Sequence, residues 1–131
     1  MGDSERAQVV RDALDAWNRR DLEGLLALTD PDVEWVNAPN AVEPGTRHGW
    51  DGLRIVVESQ WDILAEAEMT VARVVERGAD VITIATLSSR MPDSETVIEA
   101  PFHVLWRVDG GKIKRIEPLG PDPQEAERAL K

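Results

Sequence analysis

The stretch that decides the fold lies between residues 69 and 119, where four pieces, "MTVARVVE" (69–76), "DVITIATLSS" (80–89), "TVIEAPFHVLWRV" (96–108) and "KIKRIEPL" (112–119), are rich in β-branched residues and alternate with a period of two. The connecting sequences "RGA", "RMPDSE" and "DGG" are turn formers, so the pieces read as strands joined in antiparallel hairpins. In the third piece Ala100, Phe102, Val104, Trp106 and Val108 make one unbroken apolar face, which must be the buried one. Glu99, Pro101, His103, Leu105 and Arg107 make the other. His103 is thereby expected to look outward, toward solvent or a second copy of the chain, and only a β-bulge near Pro101 would reverse it.

Upstream of this region the period is helical. Val10, Ala13, Leu14 and Trp17 recur at helix spacing between Ser4 and Arg19, with charged residues between them. The run "DLEGLLALTDPD" (21–32) predicts a second, shorter helix with Asp21 as N-cap, Leu22, Leu25, Leu26 and Leu28 as its apolar set, and Asp30-Pro31 as its end. "DVEWVN" (32–37) alternates as a first strand with Val33, Trp35 and Asn37 on one side. "APNAVEPGTRHG" (38–49) reads as a loop crossing the surface or lipping a pocket. A third helix follows from Trp50 or Asp51 to about Ala65, with Trp50, Leu53, Val57, Trp61 and Leu64 on one stripe and Asp51 as a candidate cap. "PDPQEAERALK" (121–131) can close the chain as a short helix. The whole, residues 1–131, is expected to be one α+β domain with its helices on one face of a curved antiparallel sheet.

Composition narrows the function classes. Hydrophobic residues make up 42% and charged residues 31%, the balance of a soluble globular chain. Twenty-five acidic residues against 15 basic ones leave a net charge of −10, which repels nucleic-acid phosphates and anionic membrane surfaces. No apolar run approaches the roughly 20 residues needed to span a bilayer, and "MGDSERAQ" lacks the apolar core of a secretory signal, so a cytoplasmic address is expected. The absence of cysteine rules out disulfides, thiolate catalysis and cysteine-bound zinc. With only His48 and His103 as histidines, neither a metal site nor a cofactor is expected.

The segments "ALDAWNRRDLEGLLALTDPDVEW" (13–35), "GWDGLRIVVESQW" (49–61) and "VLWRVDGGKIKRIEPL" (104–119), followed by "DPQEAERAL" (122–130), together resemble the NTF2-like superfamily in its SnoaL-like, ketosteroid-isomerase-like branch. The resemblance covers nearly the whole chain. It implies a cone, in which a strongly bent sheet wraps the long helices around a mostly apolar pocket, and a homodimer formed through the sheet. It leaves function open, because such proteins include isomerases, aldol-type cyclases, dehydratases, epoxide hydrolases and proteins that only bind partners.

Candidate site residues follow from both lines. Five tryptophans accompany one phenylalanine and no tyrosine. Trp17, Trp35, Trp61 and Trp106 fall on inward stripes, where they either fill the core or offer flat apolar walls and indole N–H donors to a ligand. The expected pocket is Trp17, Trp35, Asn37, Trp61, Phe102, Val104, Trp106 and Leu119. In the ketosteroid-isomerase-like branch a carboxylate near the end of the first strand removes a proton beside a carbonyl, and acidic donors hold the oxyanion. By that resemblance Asn37 stands where the base falls and Val104 where a second acid can stand. An amide is no base, and a tyrosine donor is impossible here, so steroid isomerisation is not the expected chemistry. His103, with Glu99 or Glu117 to orient it, is the remaining candidate base, since imidazole changes charge near neutral pH. His48 in the crossover loop and the pairs Asp30/Asp32 and Asp93/Glu95 read as solvated.

Two functions therefore stand. One is binding of a small hydrophobic molecule, with cofactor-independent isomerase, cyclase or hydrolase chemistry on a polyketide- or terpenoid-like ring compound as its enzymatic form. The other is a non-catalytic dimeric scaffold whose core is filled by its own tryptophans. The discriminating features are the size of the interior cavity and the presence of a titratable group in it.

Overall fold

The computed structural model describes residues 4–37, 45–64, 66–90 and 95–128. Residues 38–44 of the expected crossover loop, Ala65 at the expected end of the third helix, Asp93 and the tail beyond Arg128 lie outside them.

Helix α1, Glu5–Asn18, starts where the Ser4 hydroxyl accepts the Ala7 N–H at 3.1 Å, and it buries Val10, Ala13, Leu14 and Trp17 as its stripe requires. Helix α2, Leu22–Ala27, is capped by Asp21, whose Oδ1 accepts the Gly24 N–H at 2.9 Å. Strand β1, Thr29–Asn37, begins earlier than the alternation suggested, because Asp30 and Pro31 are extended and lie in it. Its pairing is irregular between Thr29 and Glu34, the part of the ladder in which proline's missing N–H sits.

Strand β2, Gly45–His48, falls in what read as loop, and it turns directly into helix α3, Gly49–Ile63. Asp51 does not cap that helix; His48 occupies the N-cap position without a side-chain bond. Gly49 there has a φ of +74°, and a side chain would bring its Cβ to 3.3 Å from the Pro31 carbonyl oxygen. Trp50 is not on the buried stripe: at the first turn of α3 it is 39% exposed, with only its indole N–H tied inward, to Thr29 Oγ1 at 2.9 Å.

The remaining strands are β3, Glu68–Arg77, β4, Asp80–Arg90, β5, Val97–Pro101, β6, Val104–Asp109, and β7, Lys112–Pro118, followed by helix α4, Pro123–Arg128. Gly110 and Gly111, both at positive φ, close the two-residue turn between β6 and β7. The sheet order is β2-β1-β7-β6-β4-β3, with β5 also on β4. It is mixed rather than antiparallel throughout, since β1 runs parallel to β7 with Trp35 beside Ile116.

The run expected as one strand from Thr96 to Val108 is broken at Phe102 and His103. No residue is inserted at the break. Thr86 faces Pro101 and Thr83 faces Val104, so β5 and β6 keep one register along β4, and the bulge that would have reversed His103 is not there. Alternation along β4 divides the core in two. Val81 and Ala85 belong to the inner cluster, with Val10, Leu53 and Trp106, while Ile82 belongs to an outer cluster with Ala126 of α4.

Candidate functional site

The inner cluster encloses a cavity of about 40 Å³ between α1, α3 and the sheet. Trp17, Trp35, Phe102, Val104 and Trp106, all expected there, line it. The rest of its wall is aliphatic, mainly Leu14, Leu25, Leu53, Val57 and Met69, with Gln60 as the single amide. Among the described residues no carboxylate or imidazole reaches it.

The indole N–H groups are committed within the protein. Trp17 donates to Gln60 Oε1 at 2.9 Å, Trp35 to Asn37 Oδ1 at 2.6 Å and Trp106 to Thr83 Oγ1 at 3.0 Å. An indole nitrogen only donates, so each bond fixes the orientation of its partner's acceptor. Gln60 and Thr83 were not singled out from sequence. Their signal was positional: Gln60 lies beside the apolar stripe of α3, and Thr83 shares an inward parity with Val81.

Three expected pocket residues are placed elsewhere. Trp61 packs against Trp17, ring centroids 6.3 Å apart and tilted by 49°, with the Arg20 guanidinium 5.8 Å above it, but it does not line the cavity. Its indole Nε1 is buried and has no hydrogen-bond partner among the described residues. Asn37 ends β1 half-buried, holding the Trp35 indole rather than facing the cavity. Leu119, the first residue after β7, belongs to the other side of the sheet, where it packs with the cluster of Ile82 and Ala126.

His103 is outside the cone, as its parity requires, but solvent does not surround it. It is 5% exposed, beneath the segment leading to α4. Its Nδ1 accepts the Ala85 N–H at 3.2 Å and its Nε2 lies 3.1 Å from the Pro121 carbonyl oxygen. Neither Glu99 nor Glu117 orients it by a hydrogen bond, and with both nitrogens held it has none free for a substrate. His48 is exposed, 3.8 Å from Glu34.

Asp30, expected to be merely solvated, binds Lys114 Nζ at 2.5 Å across the β1–β7 pair. The hydrogen bond from Lys114, then that from the Asp32 N–H, holds the Asp30 carboxyl below its ordinary value near 3.8, and Asp30 in turn raises the Lys114 ammonium. This pair lies on the surface, away from the cavity. No group of three or more potential metal-ligating side chains occurs among the described residues, and no helix there is long and apolar enough to cross a membrane.

Comparison with known proteins matches residues 10–116 to the family model of the SnoaL-like domain. No curated protein sequence matches. Among solved structures, an NTF2-like protein of unknown function from Burkholderia pseudomallei is 26% identical, with 98% of this chain and 99% of that one covered and a TM-score of 0.76. TerC, co-crystallised with polyporic acid, is 24% identical over 97% of this chain and 98% of its own, with a TM-score of 0.78. A hypothetical protein of ketosteroid-isomerase-like fold from Catenulispora acidiphila, in complex with trimethylamine, is 18% identical over 86% and 84%, with a TM-score of 0.73.

Proposed function

Because the chain belongs to the SnoaL-like domain family, its function is sought inside the cone, and we propose that the inner cavity binds a small, uncharged, hydrophobic molecule without acid–base chemistry. The observation that carries this reading is the wall itself: three indoles, a phenyl ring, aliphatic side chains and the Gln60 amide, with no group among the described residues able to take or give a proton near neutral pH. The indole donors are already paired, so shape and apolar contact, rather than hydrogen bonding, select the ligand. The crystallised complexes of TerC and of the Catenulispora protein support a ligand-binding role for this fold.

Size limits the ligand. An apolar cavity of about 150 Å³ takes up benzene, whereas this one holds about 40 Å³. A ring compound of polyketide or terpenoid type therefore needs part of the wall to move, and the partly buried Phe102 and the Trp17–Gln60–Trp61 group are the side chains placed to do so. The same volume favours a second reading, a scaffold whose tryptophans fill its own core. The proposal also carries a cytoplasmic address and a homodimer through the sheet; Val97 and Ile98, 58% and 50% exposed on β5, support the latter.

Toluene titrated into methyl-labelled protein tests this. Saturable shifts confined to the methyls of Leu14, Leu53, Val57 and Met69 are expected, and Trp35→Ala should alter the affinity. No saturable shift with toluene or naphthalene would overturn ligand binding in favour of the self-filled core.

A further inference from the structure

We infer that His103 is a tautomer-specific latch, tying the C-terminal segment to the outer face of the sheet and bracing Phe102 in the wall of the inner cavity. Where β6 meets the break, Phe102 N–H donates to the Ala85 carbonyl at 2.9 Å, but the Ala85 N–H goes to the His103 ring. A main-chain N–H cannot accept, so the nitrogen facing it must carry a lone pair. The proton then sits on Nε2, where the Pro121 carbonyl, which can only accept, receives it. Two partners of fixed polarity thus select one neutral tautomer, assigned by the hydrogen-bond network. A second proton would set N–H against N–H at Ala85, in a position where the ring is too buried for water to compensate.

The latch holds a definite element. Leu119 N–H donates to the His103 carbonyl at 2.8 Å, Pro121 is bound by the ring, and Asp122 opens α4 by accepting the Gln124 N–H at 2.9 Å. Ala126 of α4, 3% exposed, then covers Ile82. Among the described residues, the groups lining the groove at the ring are Ile84, Ala85 and Thr86 from β4, Ala72 from β3, and Pro121 and Pro123 from the C-terminal segment, with Glu99 of β5 the one titratable neighbour there. Further out, Asp122 caps α4, and Arg73 pairs with Glu127.

The latched form therefore keeps the neutral Nε2–H ring, and loss of the ring's two bonds frees the C-terminal segment from the sheet. Because Phe102 lines the cavity on the opposite face, release also loosens that wall.

The test uses the full wild-type chain labelled with ¹⁵N. At pH 7.5, long-range ¹H–¹⁵N correlations should show His103 with a bare Nδ1 and a protonated Nε2, and exposed His48 serves as the internal reference. The Nδ1–H form, or averaging of the two, would overturn the inference. At pH 7.5, hydrogen-exchange protection of Leu119 and Ala126 relative to Val108 should fall by about tenfold in His103→Ala, which loses both ring bonds; a constant ratio would overturn the inference. His103→Gln, whose amide can both accept and donate, should retain more of that protection than His103→Ala, and equal losses in the two variants would equally refute the latch.

Discussion

The two faces of this sheet are covered by different means. The inner face lies under the 14 residues of α1 and the 15 of α3, with an apolar cluster that includes three indoles. The outer face lies under the six residues of α4, with Ile82 and Ala126 as its buried pair and Leu119, Leu105 and Ile84 around them. Burial of apolar area holds the inner cover, and that contribution is indifferent to pH. The outer cover depends on a few directional bonds through His103. One side of the molecule is thus stable by area and the other by geometry, which makes the outer side the one a change of conditions can open.

Three substitutions sharpen or break this contrast. Trp106→Ala removes an indole from the inner wall and unpairs the Thr83 hydroxyl, and should destabilise the protein by about 3–5 kcal/mol in urea unfolding. A loss below about 1 kcal/mol would mean that the inner cluster is not the principal support. Ile82→Ala strikes the outer pair and should cost about 2 kcal/mol, at the low end for a buried isoleucine, because a short helix can settle into the space. A larger loss than that of Trp106→Ala would reverse the ranking of the two faces. Asp30→Asn separates the latch from surface charge. The Asp30 carboxyl is held below its ordinary value near 3.8, so its contribution is present above that pH and is lost as pH falls through the lower folded value. The variant should therefore differ from wild type in its acid-unfolding profile below about pH 4 and leave the exchange of Leu119 near pH 6 unchanged. Altered exchange at pH 6 would tie the outer cover to this distant pair.

The same contrast governs what could be read from sequence. The inner face was legible because its residues repeat: Val10, Leu14 and Trp17 on α1, Leu53 and Val57 on α3, and Phe102, Val104 and Trp106 on the sheet all mark burial by period. Parity along residues 99–108 likewise put His103 on the outer face. What covers that face was not legible, because α4 buries a single alanine and leaves no stripe to detect. Strand β2 was missed for a related reason: its four residues are mostly exposed at the sheet edge, and glycine and turn-forming neighbours dominate their composition. Trp50 misled because a stripe continues to the first turn of a helix even where the neighbouring layer stops. Cavity size was beyond the pattern altogether, since alternation tells which side chains face each other but not how closely they pack.

The parallel pairing of β1 with β7 bears on how the chain acquires this form. Trp35 must meet Ile116, and the Asp30 carboxylate must meet Lys114, across most of the polypeptide. Neighbouring hairpins can close early and quickly, whereas this seam must wait for a long loop to be drawn together. A nascent chain emerging from the ribosome can thus assemble β3 and β4 locally, but β1 stays without one of its partners until the last strand is made. For that interval, Val33 and Trp35 lack the neighbour that completes their shelter, and their apolar surface stays open to misassembly.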